Sequence, residues 1–236
     1  MGIDPKQPAV TLPQPAPEVV SAAIDQWAVI RKPSAVLQVI DISGSMDESI
    51  GDGRSRLDGA IEGATTTLGQ VRSTDEIGVW AFTTGLSAEI DGERVAGIAE
   101  VRPFGALGGD KEGLQDDIRD LAYSQRAGTP LYDALSAAYD YMKGHAESGR
   151  INAIVVLSDG EDTDSTTRLD SLIQKINADQ KEGGNDKPVR IFAIAYSEGA
   201  DVESLAKLAR ASGGQVFNAT DPTKITETFQ SVMNNF

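Results

Sequence analysis

Two runs constrain this chain more than anything else in it: Ile151-Asn152-Ala153-Ile154-Val155-Val156-Leu157 and Val189-Arg190-Ile191-Phe192-Ala193-Ile194-Ala195. Neither alternates apolar with polar residues, as a strand with one wet face would. Both read as strands covered on both faces, which is the position of a central strand in a parallel sheet. A third run, Ala35-Val36-Leu37-Gln38-Val39-Ile40, has the same character. Between the runs lie amphipathic stretches at helical spacing. The reading places strands at 35–41, 76–83, 98–103, 151–158, 189–196 and 214–218, and helices at 54–72, 111–125, 130–147, 167–182, 201–211 and 222–234. Strands that alternate with helices predict an α/β fold: a doubly wound, mostly parallel six-stranded sheet with helices on both faces. Segment 84–103 departs from the alternation. Its Asp91-Gly92 pair lies between two extended runs and predicts a hairpin that supplies one short antiparallel edge strand.

Residues 1–33 read differently. Five prolines fall within the first 17 residues, giving an extended arm, and a linker helix runs from Pro17 to about Arg31, stopped by Pro33. The expected organisation is therefore an arm plus helix over 1–33 and one domain over 34–236. The N-terminus lacks the basic start and apolar segment of a signal peptide, so the expectation is that this stretch does not itself encode export, although a longer parent protein could. No apolar stretch reaches the length of a membrane span.

The net charge of −15 argues against nucleic acid or an anionic membrane surface as partner and favours cations. Part of the acid gathers at Asp47, Glu48, Asp52, Glu161, Asp162 and Asp164. There is no cysteine, which excludes disulfides and thiolate metal sites and leaves the compartment open. The single histidine, His145, near the end of helix 130–147, has no partner for a zinc site.

Open sheets of this kind bind ligands at the carboxyl ends of their strands, where the strand order switches. Asp41-Ile42-Ser43-Gly44-Ser45 follows the first strand, and Ser158-Asp159-Gly160 follows the fourth. Thr129 opens the helix beginning at Pro130, where it also reads as an N-cap. Asp41, Ser43, Ser45, Thr129 and Asp159 are thus candidates to converge as hard oxygen donors, a set suited to Mg²⁺ or Mn²⁺, with Ca²⁺ also possible. Asp162 and Asp164 read as charges on the rim.

Asp-x-Ser-x-Ser, a later Thr and an Asp after a further strand resemble the metal-ion-dependent adhesion site of von Willebrand factor type A (VWA) domains, over about residues 34–236. The resemblance implies that Ser43 and Ser45 bind the metal directly, that Asp41 and Asp159 hold it through water, and that Thr129 ligates directly once a partner is bound. It implies a non-enzymatic adhesion module in which a partner's Asp or Glu completes the coordination. The form Asp-Ile-Ser-Gly-Ser-Met-Asp is common among bacterial members. Residues 3–33 resemble the joint that precedes the VWA module of actinobacterial exported solute-binding-like proteins, which implies an extracellular or cell-surface setting within a longer exported protein. An intracellular scaffold for a AAA+ ATPase is the alternative. An aspartate-based phosphatase also begins with Asp after a parallel strand, but it needs a second acid where this chain has Ser43. Neither a phosphate-binding loop nor a nucleophile elbow is present, and no catalytic residue is expected.

Overall fold

The computed structural model describes residue 16, residue 19 and residues 32–51, 53–124, 128–159, 161–181, 186–196, 202–221 and 224–233. The chain divides into two units, Met1–Arg31 and Lys32–Phe236. The arm and linker helix expected over 1–33 lie almost entirely outside the described residues.

In the second unit the elements run β1 (Ser34–Asp41), β2 (Ser49–Gly51), β3 (Arg54–Ser55), α1 (Arg56–Thr67), β4 (Glu76–Ile90), β5 (Glu93–Ala106), α2 (Lys111–Arg119), α3 (Leu131–His145), β6 (Ile151–Ser158), α4 (Leu169–Lys181), β7 (Val189–Ala195), α5 (Val202–Ala211), β8 (Val216–Asn218) and α6 (Ile225–Met233). Six strands form one sheet in the order β5-β4-β1-β6-β7-β8, parallel except for the β4–β5 pair. The short β2 and β3 pair separately.

All eight residues of β1 are buried, because helices cover both faces of the sheet. Val36 and Ile40 join Leu57, Ala60 and Ala64 of α1, Leu114 and Ile118 of α2, and Phe229 and Val232 of α6. Ala35, Leu37 and Val39 join Leu131, Leu135 and Ala138 of α3, Leu172 and Ile176 of α4, and Leu205 and Leu208 of α5. The alternation of side chains along a strand distributes one sequence between these two cores.

The two strongest apolar runs became β6 and β7, as their pattern requires. The antiparallel edge strand is present and is longer than its sequence suggests, at 14 residues. Over residues 84–89 the burial of β4 drops to alternating half-buried and exposed positions before Ile90 is buried again, so the continuous apolar run ends while backbone pairing continues to Ile90↔Glu93. The turn is formed by Asp91 and Gly92, both at positive φ (51° and 80°), the conformation that an Asp-Gly hairpin favours. The helix expected from residue 54 begins at Arg56. Ser55 and Asp58 set that start with a reciprocal capping box, and Arg54-Ser55 forms β3 instead.

Gly63 is where α1 meets α6. A Cβ there would lie 2.0 Å from the Phe229 ring, and Phe229 is fully packed in the core. Gly63→Ala is therefore expected to destabilise the domain by about 1–3 kcal/mol through overpacking, although alanine gains about 1 kcal/mol in helix propensity. Urea denaturation measures the balance; a stabilised variant would show that α6 moves aside without cost.

Candidate functional site

The strand order places the switch between β1 and β6, the crevice where open α/β sheets take their ligands. Asp41 ends β1 and Asp159 follows the last residue of β6. The register pairs Ile40 with Leu157, so the next residues, Asp41 and Ser158, come side by side.

Asp41 is fully buried. Its Oδ1 accepts the Ser43 N–H at 2.9 Å and its Oδ2 accepts the Ser158 hydroxyl at 2.7 Å. Burial pushes the carboxyl up to about 6; the bonds from Ser158 and Ser43 pull it back, and the negative charge of Asp159 adds to the rise. Ser43 is buried and Ser45 half-buried, with their hydroxyls 3.1 Å apart. The loop is held in this form by a single 3₁₀ turn, Gly44–Asp47, whose Met46 is plugged completely into the core. An apolar side chain thus anchors the turn that follows Ser43 and carries Ser45.

Thr129 is buried as well, and its backbone is clasped by Thr163: the Thr129 N–H donates to Thr163 Oγ1 at 2.9 Å, and the Thr163 N–H donates to the Thr129 carbonyl at 3.1 Å. Gly128 before it has φ 124°, and its carbonyl accepts the Thr83 hydroxyl. A Cβ on Gly128 would lie 2.2 Å from Thr84 Oγ1, so glycine is needed both for conformation and for close approach.

The N-cap expected at Thr129 is not its role. Helix α3 starts at Leu131, with Pro130 at the cap position and no side-chain cap bond from it. The first N–H groups of α3 are satisfied from another loop: Tyr132 N–H by Asp162 and Ser165, and Asp133 N–H by Ser165. Asp133 in return accepts from the Thr166 and Thr167 N–H groups. Asp162 is therefore part of the loop's scaffold, and Asp164 accepts from Thr84 Oγ1, where both had read as rim charges. The signal for this was the Asp-Thr-Asp-Ser-Thr-Thr composition of residues 162–167, a loop rich in side chains that hydrogen-bond backbone.

Asp159 is 5% exposed, and its Oδ2 accepts from Arg56 Nη1 at 2.9 Å. Sequence reading also missed Arg56 and Ser158. Ser158 sits beside Asp159 in the chain, but its link to Asp41 depends on the β1–β6 register. Asp52 and Gly160 lie outside the described residues.

Among the described residues no three His, Cys, Asp or Glu side chains form a group that could hold a metal ion. The donors here are of another kind: two buried carboxylates, Asp41 and Asp159, on either side of the switch, with the hydroxyls of Ser43 and Ser45 beside the first. Such a set could hold a hard divalent cation and leave positions for water and an incoming anion. His145 is remote in role: its Nδ1 lies 2.9 Å from the Tyr141 carbonyl and its Nε2 3.7 Å from Asp91.

The family model of the von Willebrand factor type A domain matches residues 36–231. The chain belongs to this family. Solved structures similar to it include a von Willebrand factor type A protein from Catenulispora acidiphila, at 21% identity and TM-score 0.63, covering 85% of this chain and 42% of that one. Proximal thread matrix protein 1 from the mussel byssus, described with a zinc-occupied MIDAS motif, matches at 13% identity and TM-score 0.65, covering 86% and 47%. The PilB minor pilin of Streptococcus sanguinis matches at 15% identity and TM-score 0.62, covering 87% and 62%. The chain thus spans less than two thirds of each of these proteins. At these identities the likeness is one of fold. No curated protein matches the chain. Among its described residues no helix is long and apolar enough to cross a membrane.

Proposed function

We propose that this VWA domain is a non-enzymatic binding module that captures a protein partner through a divalent cation. Ser43 and Ser45 hold the ion directly, Asp41, Thr129 and Asp159 hold it directly or through one water, and an Asp or Glu of the partner completes its coordination. The observation that carries this reading is the meeting of Asp41 and Asp159 at the strand-order switch, with the Ser43 and Ser45 hydroxyls 3.1 Å apart beside them. An anionic chain of net charge −15 binds a carboxylate best across a cation. Mg²⁺ and Mn²⁺ suit the all-oxygen donor set. The setting proposed is the cell surface, within a longer exported protein; a byssus matrix protein and a pilin of similar fold support it.

The test uses the immobilised domain and synthetic peptides paired so that each Asp or Glu member has an Asn or Gln twin. In 1 mM Mn²⁺ the acidic member should be retained selectively. Retention should vanish with EDTA and with Ser43→Ala. Acid-selective binding that survives both treatments would refute the metal bridge. Phosphoester hydrolysis at a kcat of about 1 s⁻¹, abolished by Asp41→Asn, would refute the non-enzymatic reading.

A further inference from the structure

Arg56 is the first residue of α1, and the Ser55–Asp58 capping box fixes the turn from which it projects. Its guanidinium ties together groups from two loops. Nη1 donates to Asp159 Oδ2 at 2.9 Å and lies 3.4 Å from the Ser45 carbonyl, while Nη2 pairs with Glu48 Oε2 at 2.7 Å. The side chain is 18% exposed and that of Asp159 only 5%, so solvent screens their pairing weakly. A positive charge therefore already rests on one of the two carboxylates assigned to the cation.

We infer that Arg56 sets the affinity of the site for its cation, by competing with the ion for the charge of Asp159. This rests on the metal-binding reading above. A divalent ion held within one water of Asp159 lies close to the guanidinium, and like charges at that range repel through a poorly screened medium. A cation at this position keeps the two carboxylates tolerable to each other without metal, and lowers what they gain by taking one. Arg56 is thus a positioning residue that tunes the site. A merely structural tie would act in the opposite direction, because cutting it would loosen the Ser43–Ser45 turn and weaken binding.

Mn²⁺ titration by calorimetry of the purified chain, with Arg56→Met, Arg56→Gln, Arg56→Lys and Ser43→Ala, separates the two. The neutral variants should bind Mn²⁺ about tenfold more tightly, and Arg56→Lys should stay within about threefold of the parent, since it keeps the charge and loses the fork. The gain in Tm on passing from EDTA to saturating Mn²⁺ should also be larger in Arg56→Met than in the parent. Unchanged or weaker binding by both neutral variants would overturn the inference while leaving the metal site standing. A parent that shows no Mn²⁺ binding sensitive to Ser43→Ala would overturn both, and that control tells the two failures apart.

Discussion

Asp75→Ala is expected to lower Tm by about 6–12 °C, from a loss of about 3 kcal/mol. Asp75 is 1% exposed. Its Oδ1 accepts the Ser34 N–H at 2.8 Å, and its Oδ2 accepts the Arg72 N–H at 2.8 Å. The Arg72 guanidinium lies 3.2 Å from Oδ1. One carboxylate thus fastens the first residue of β1 to the turn before β4, and alanine would take the acceptor from two backbone donors, one buried and one partly buried. Burial works against the charge, but these N–H groups and the guanidinium outweigh it and hold the carboxyl below its usual range. The sign of the pH dependence follows. A carboxyl depressed in the folded state contributes stability that is present in full above its unfolded value, near 3.8, and is lost as pH falls through the lower folded value. Asp75→Asn keeps an acceptor and loses the charge, so its deficit at pH 7 should be smaller than that of alanine and should shrink on acidification. A deficit for asparagine that is equal at pH 7 and pH 3 would show that the charge contributes nothing.

Saturating Mn²⁺ or Mg²⁺ is expected to raise Tm by about 5–11 °C over EDTA, the effect of about 2.7 kcal/mol at a hundredfold excess over Kd. The site gives the gain a local cause. Asp41 is a buried carboxyl pushed up to about 6, chiefly by desolvation. In the metal-free protein its ionisation opposes folding above pH 6, and that opposition fades as pH falls from about 6 toward 3.8. A cation that favours the ionised form removes the opposition, and protons compete with it below pH 6. The metal-dependent gain should therefore be full at pH 7.5 and much reduced at pH 5. NaCl at matched ionic strength controls for general screening of a chain of net charge −15. An equal gain in the double variant Ser43→Ala/Asp159→Ala would show that the stabilising ion binds elsewhere.

Much of this was legible in the chain. The apolar runs at 151–157 and 189–195 read as central strands and Asp91-Gly92 as a hairpin turn, because burial on two faces and positive φ leave few residue choices. Local chemistry also marked Asp41, Ser43 and Ser45 as a donor group. Less legible were elements without a continuous apolar run. The outer half of the β4–β5 hairpin carries no apolar run, and β2 and β3 are too short to show a period. The cap reading of Thr129 failed for a related reason: Thr-Pro before a helix is a sound local cap signal, yet Asp162 and Ser165, some thirty residues away, took the capping task.

Fold class and the type of donor offered at the ends of β1 and β6 were written in the chain. Those follow from periodicity and side-chain chemistry, which act over a few residues. Which groups meet was settled by the assembled fold. The β1–β6 register set Ser158 against Asp41, 117 residues away, and the packing of α1 on the sheet brought Arg56 to Asp159, 103 residues away. Register and packing are fixed by the fit of whole faces, so no local pattern records them, and the charge environment of the site is written there.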